Sequence, residues 1–428
     1  MRRGLFLVLS GILLVSSGLW AGGGKQAAQP ASTDKDKPVR FLMSAMMSGP
    51  NAESGRQVNM VVQTAQWYIN DVLGGFKSLG GRKIDFLIVD STSDAAQAVA
   101  PFEQALGKGG FSVIIGNPNS SITLAQQPIA EAFKIPMIPS ASANAKISQG
   151  GFQFTFQPGA TAAAFIPMQL DFLDYYSKLL GKPLSELRIG LIYADDAWGT
   201  DNANNTKIQT KARGLNLAFD QKYNVPTFTD ATPLITALMN AKVDVLLPSS
   251  YPSDLSLIFA AMGALNYHPL VVGGGAGMTW PSLKASLGDA VNGITSVDAW
   301  VWDQKGARDN PGWMQMNDWY EKKFNEFIPG QGGPTLYSIM LAYSAIENIG
   351  SDDPVAIRDE LRKMTAKNNI WMRVINGDGA FDPVTGQNKA AQPIMMQWQN
   401  GRPMAVYPLD AADVPLLNPD TMKPFDTK

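Results

Sequence analysis

From Val39 to Ile138, apolar runs too short for a helix alternate with segments whose apolar residues recur every three or four positions. That alternation restricts the fold class more than any other feature of the chain. Val39 to Met47, Lys83 to Asp90, the run opening at Phe111, and Ile135 to Ile138 read as strands. Between the first two lies a helix carrying Val58, Val61, Val62, Ala65, Ile69, Val72 and Leu73 on one face. A second helix is expected over Asp94 to Leu106. A strict β, α, β, α order favours a parallel sheet with helices on both faces. After Gln149-Gly150-Gly151 the pattern restarts with RIGLIYA (188–194), and Asp244 to Pro248 and Leu270 to Val272 give further strand ends. The expected architecture is therefore α/β, in two lobes.

The unit from Phe111 to Ala143 locates a candidate site. Its strand stops at Gly116, a polar loop runs to Ser120 and Ser121, a helix follows, and a second strand ends before Ser140-Ala141-Ser142. Parallel sheets bind ligands beyond the carboxyl ends of their strands, so both serine clusters should face one cleft. A hydroxyl beside the free N–H groups of a helix start suits a carboxylate or amide oxygen. Serine is also a favoured N-cap, so capping by Ser120-Ser121 is the plainer reading, and the two roles are compatible.

Composition removes several classes of function. With 428 residues, 45% of them hydrophobic, the chain can bury two cores. It has no cysteine, which excludes disulfides, thiolate metal sites and a cysteine nucleophile, and a formal charge of -2 gives no reason to expect nucleic acid. The single histidine, His268, has no partners for a triad or a zinc site. Asp195, Asp196 and Asp201 lack the order of a calcium loop, so neither a metal nor a cofactor is expected. No G-x-S-x-G elbow is present. A secreted hydrolase stays open through the carboxylate pair Asp195-Asp196.

At the start, Arg2-Arg3, an apolar run from Leu5 to Val15 and small residues up to Ala21 read as a secretory signal peptide. Residues 22–37 read as a flexible tether. Gly22 stands where a lipid-anchored protein would need cysteine, so the mature chain is expected to be soluble in the periplasm.

Several stretches together resemble one family. SGPNAESG, WYINDVLGG, GRKIDFLIVDSTSDAAQAVAPFEQAL, IIGNPNSS, IPMIPSASA, IGLIYADDAWGTD and GDGAFDPVTGQ, in this order and spacing, are similar to the leucine/isoleucine/valine-binding proteins of bacterial ABC importers, over roughly residues 39–407. The resemblance implies a type I periplasmic binding protein: two Rossmann-like lobes joined by three crossovers, monomeric and without catalytic activity, closing on a small ligand for delivery to membrane permease subunits. It places lobe 1 at 38–157 with 300–390, and lobe 2 at 158–299 with 391–428.

Carried over by position, Ser120 and the Ala141 backbone would grip a ligand carboxylate, with Ser121 and Ser142 beside them. Ala143 replaces a family threonine, whose hydroxyl Ser142 would supply, and Ala162 replaces an aspartate. Trp198 and Tyr251 would clamp the ligand between them, with Trp280 as a further wall. Gly275 stands where amino-acid binders carry a glutamate for the ammonium group. The resemblance therefore implies a ligand with an acid or amide group and no primary ammonium. The alternatives are an amino-acid binder in which Asp195, Asp196 or Asp298 takes over that role, and a receptor that signals instead of importing.

Overall fold

The computed structural model describes residues 37–374 and 379–425. The expected signal peptide, most of the tether, and the first residues of the GDGAFDPVTGQ stretch, Asp378 among them, lie outside these residues. Strands β1 (Val39–Ala45), β2 (Ile84–Asp90), β3 (Val113–Gly116) and β4 (Met137–Pro139) form an all-parallel sheet in the order β2-β1-β3-β4. Helices α1 (Ala52–Trp67), α2 (Val99–Gly107), α3 (Ser120–Phe133) and α4 (Lys146–Gln149) lie between and after them.

Side-chain alternation shows why these strands are apolar throughout. Phe41, Met43, Val113, Ile115 and Ile138 point into the main core, whereas Leu42, Ile114 and Met137 point into a second core with Phe102, Leu106 and Ala130 of α2 and α3. A sheet buried on both faces cannot carry polar residues at alternate positions. The helix expected from Asp94 begins only at Val99, because the Asp94 carboxylate accepts from the N–H groups of Ala96 and Gln97 and holds a turn there.

The second lobe runs through α5 (Ala162–Leu179), β5 (Arg188–Ala194), α6 (Ala197–Ala212), β6 (Asn216–Tyr223), α7 (Thr232–Asn240), β7 (Val245–Ser249), α8 (Pro252–Ala264), β8 (Leu270–Gly273), α9 (Pro281–Leu287) and β9 (Thr295–Asp298). The chain then crosses back through α10 (Lys305–Arg308). Helices α11 (Pro311–Phe324) and α12 (Gly332–Ile349) pack on α1, α12 also meets β3 and β4, and α13 (Pro354–Leu361) packs on α12. A third crossing delivers β10 (Ile394–Gln399) and β11 (Arg402–Tyr407) to the second sheet, whose order is β11-β10-β9-β8-β7-β5-β6.

That sheet is parallel except at one end, where β10 runs antiparallel to both β9 and β11. The β10–β11 hairpin turns on Asn400 and Gly401, both at positive φ (52° and 73°), which is the backbone that an Asn-Gly pair supplies. Each sheet reverses its strand order once, beside β1 in the first and beside β5 in the second. The carboxyl ends at these two reversals face each other across the cleft.

Candidate functional site

The segments after five strands supply the cleft residues expected from sequence, and one buried amide ties the first lobe's loops together. Beyond β3, Asn117 donates through Nδ2 to Ser91 Oγ (2.8 Å) and Ser44 Oγ (3.3 Å), at the ends of β2 and β1, and its Oδ1 accepts from Asn119 N (2.9 Å). Its carbonyl accepts from Ser142 Oγ (2.7 Å) and Thr123 Oγ1 (2.8 Å). Ser142 therefore spends its hydroxyl on the loop itself. It does not supply the hydroxyl missing at Ala143.

Capping of α3 falls to neither serine. Asn119 is the N-cap, its Oδ1 accepting from Ser121 N (2.9 Å) and Ile122 N (3.2 Å). The serines are thus released for other contacts. Ser120 Oγ accepts from Asn144 N (3.3 Å), and Ser121 Oγ accepts from Ala197 N of the other lobe (3.2 Å). Ala141 and Ala143 lie on the loop after β4, where Gln157 Nε2 donates to the carbonyls of Ser142 (3.0 Å) and Asn144 (3.2 Å), and Ala162 N donates to that of Ala143 (3.3 Å). Ser140, almost fully buried, keeps a hydroxyl with no partner among the described residues.

On the second lobe, Asp196 caps α6 by accepting from Gly199 N (2.8 Å). Its other oxygen accepts from the Tyr251 hydroxyl (2.5 Å), which in turn accepts from Asn119 Nδ2 (3.0 Å). The caps of α3 and α6, one from each lobe, are thereby joined through one phenol. Asn144 Nδ2 to the Ala197 carbonyl (2.7 Å) and Ala145 N to Asp201 Oδ2 (3.2 Å) complete the bridge, so the lobes stand closed. Asn119 and Asn144 were not singled out in sequence, and Asp201 was weighed there only as a metal ligand. Their bonds across the cleft exist only because the lobes meet.

Trp198 and Tyr251 meet in the cleft, but not as a clamp. Their ring centroids are 5.3 Å apart at 48°, and both are buried. A planar ligand between two rings needs about 7 Å from face to face, twice the ordinary carbon contact. A ligand must lie against this pair instead. Trp280 is fully buried, with its indole N–H on the Ala276 carbonyl (2.5 Å).

Gly275 is buried at φ +95° and ψ -152°, a backbone region open almost only to glycine, and its N–H donates to Ser296 Oγ (3.1 Å). A glutamate does not fit that conformation. Of the acids proposed to replace it, Asp195 is exposed and paired with Lys222 (2.9 Å). Asp298 accepts from Thr279 Oγ1 (2.9 Å) and Ala299 N (2.7 Å), and burial pushes its carboxyl up to about 7. Asp196 is committed on both oxygens, and burial raises its pKa above the ordinary carboxylate value. None of the three presents an unengaged carboxylate.

Comparison with known proteins agrees with this geometry. The family model described as periplasmic binding protein matches residues 38–403. A curated relative, Leu/Ile/Val-binding protein homolog 7 of Brucella suis, is 25% identical over 391 residues, covering 90% of this chain and 94% of its own. Among solved structures, the substrate-binding protein LivJ of Streptococcus pneumoniae in complex with isoleucine aligns at a TM-score of 0.70 and 19% identity, covering 86% of this chain and 98% of its own. A solute-binding protein of an ABC transporter from Rhodopseudomonas palustris, in complex with 3,4-dihydroxybenzoic acid, aligns at a TM-score of 0.70 and 18% identity, covering 86% and 96%.

Proposed function

The chain belongs to the periplasmic binding protein family, and from that premise we propose that it is the ligand-capturing subunit of an ABC importer whose ligand carries a carboxylate or amide and no primary ammonium. The observation that carries this reading is Gly275, whose backbone admits no glutamate, together with the engagement of Asp195, Asp196 and Asp298 elsewhere. A buried ammonium left without an acid costs several kcal/mol. Hydroxyl and N–H contacts to a carboxylate return about 1.5 to 3 kcal/mol each, so a zwitterionic amino acid binds weakly. Ser120, Ser121 and the 140–143 loop form the acid-binding end, beside the positive ends of the α3 and α6 dipoles. Trp198 and Tyr251 line the opposite wall.

The mechanism is hinge closure about the three connections near residues 158–161, 299–304 and 388–393. Ligand bridging both lobes favours the closed state by the contacts it makes only there. The mature chain, released by cleavage near Ala21, works as a monomer and presents the closed surface to the permease subunits.

A thermal-shift screen on protein refolded to remove carried-over ligand tests this. Leucine is compared with its skeleton lacking the amine, with the matching amide, and with aromatic acids. Ligand at a hundred times its dissociation constant stabilises by about 2.7 kcal/mol. A shift with the amine-free acids and none with leucine is expected. A larger shift with leucine overturns the reading.

A further inference from the structure

Apart from the bridge at Tyr251, the lobes meet over a buried acid that has no counter-charge. Thr279 of the second lobe donates through Oγ1 to Asp298 Oδ2 (2.9 Å), and the same oxygen accepts from Gly330 N (2.9 Å). Gly330 belongs to the segment before α12. That segment is tied to α1 by the bond from Ser54 Oγ to Gln331 Oε1 (3.3 Å), so it moves with the first lobe. We propose that Asp298 takes up a proton when the lobes close, so that falling pH favours the closed state and tightens ligand binding. The proposal rests on the hinge-closure reading and adds a regulator to it.

The cover over this carboxyl is the backbone of Gly330. A Cβ built there would collide with Asp298 Oδ2 and Thr279 Oγ1, so the glycine lies directly on both. Asp298 is left 3% exposed. Opening the hinge carries Gly330 away with the first lobe and lets water reach the acid. Closing strips that water from a carboxylate and returns only neutral donors: Thr279 Oγ1 and the N–H groups of Ala299 (2.7 Å) and Trp300. A charge buried on those terms is relieved by taking up a proton.

No neighbouring charge offers another route. Strands β8 and β10 beside it, and segments 276–279 and 328–331 against it, carry no titratable side chain. The first on α5 is the exposed Asp171, and Lys284 of α9 is exposed as well. Asp303, on the crossing, is spent on Ala405 N of β11 (2.9 Å), near Arg308 and Arg402. Among the described residues no lysine or arginine acts on Asp298, and burial accordingly pushes its carboxyl up to about 7. Protonation keeps the bridge whole. A neutral Oδ2–H donates to Thr279 Oγ1, which goes on accepting from Gly330 N through its second lone pair.

The chain has no cysteine, so the pair Phe133→Cys and Ile208→Cys can be labelled without side products. Both positions are exposed, on α3 and α6, whose starts meet across the cleft. Single-molecule energy transfer on the refolded mature protein, without ligand, gives the ratio of closed to open molecules. The covered carboxyl titrates at about 7 and a hydrated one at about 4. The ratio should therefore rise roughly tenfold as pH falls from 8 to 6. Asp298→Asn, an amide in place of the protonated acid, should hold the ratio at its acidic value throughout. A ratio that does not move with pH, or a rise that survives Asp298→Asn, overturns the proposal. Should the Asn variant not fold, the profile with Asp298 intact decides alone. 4-Methylpentanoate, the leucine skeleton without its amine, is then titrated at both pH values and should bind roughly tenfold tighter at pH 6. If it fails to bind while the ratio follows pH, the carboxylate reading falls and the proton-linked closure stands.

Discussion

The two walls of the cleft are made of different chemistry. On the first lobe the buried polar groups are amides and hydroxyls: Ser44, Ser91, Asn117, Asn119, Ser120, Ser140, Ser142 and Asn144. On the second they include acids, Asp254 and Asp298 buried and Asp196 in the cleft wall, and burial raises the pKa of each. A neutral wall holds the same hydrogen bonds at any pH near neutrality. An acidic wall does not, so one side of the closed structure is fixed while the other answers to protons.

The largest expected effect follows from that contrast. Burial lifts Asp298 from 3.8 to about 7, so between these values the folded protein holds a proton that the unfolded chain has lost. Stability from this group is fully present below about pH 4 and is lost as pH rises through 7, by about 4 kcal/mol in all. Thermal midpoints should therefore climb as pH falls from 8 to 5, and Asp298→Asn should flatten the slope. A wild-type profile that is flat or inverted breaks the comparison.

Tyr251→Phe comes next. It removes the hydroxyl that joins Asn119 to Asp196, leaving a carboxylate oxygen unpaired. Titration should show a loss of about 2 kcal/mol, or roughly thirtyfold in ligand affinity. If affinity is unchanged, the two caps are not coupled in the bound state.

Gly275→Ala should cost about 2 kcal/mol by denaturant titration, from backbone strain and a Cβ set 3.3 Å from the Val297 carbonyl. Its first-lobe counterpart, Gly107→Ala at the end of α2, meets nothing within 4 Å and should stabilise by about 0.5 kcal/mol. Similar effects at both sites would show that the second lobe's loop relaxes. Ser120→Ala, which removes the acceptor of Asn144 N, should cost about 1 kcal/mol in carboxylate binding by calorimetry.

Much of the fold was legible in the sequence because its strands are buried on both faces and read as apolar runs. β9 (TSVD) escaped that reading. It is short, three of its four residues are polar, and its hydroxyls are satisfied within the fold, Thr295 Oγ1 on the Val271 carbonyl (2.9 Å). β11 was announced by the Asn400-Gly401 turn, a signal that a search for parallel strands passes over.

For the site, loops at strand ends placed Ser120, Ser121, Trp198 and Tyr251 near the cleft. Sequence pattern does not tell which serine caps a helix or which is spent on a neighbouring carbonyl, since Asn119, Ser120 and Ser121 are all acceptable caps. The bonds of Asn144 to Ala197 and of Ala145 to Asp201 exist only once the lobes meet.

Helix α12 carries a further consequence, one of timing. Its residues from Gly332 to Ala342 are buried, and it packs against β3 and β4 in the first lobe's core. β4 ends at Pro139, so about 190 residues separate this sheet from the helix that covers it. At ordinary rates of synthesis that is an interval of roughly ten to forty seconds. Through that interval one greasy face of the first sheet has no permanent cover, whereas most of the second lobe is drawn from one uninterrupted stretch. The lobe that starts first is thus covered only after most of the second has been made, and the nascent chain is exposed to aggregation there.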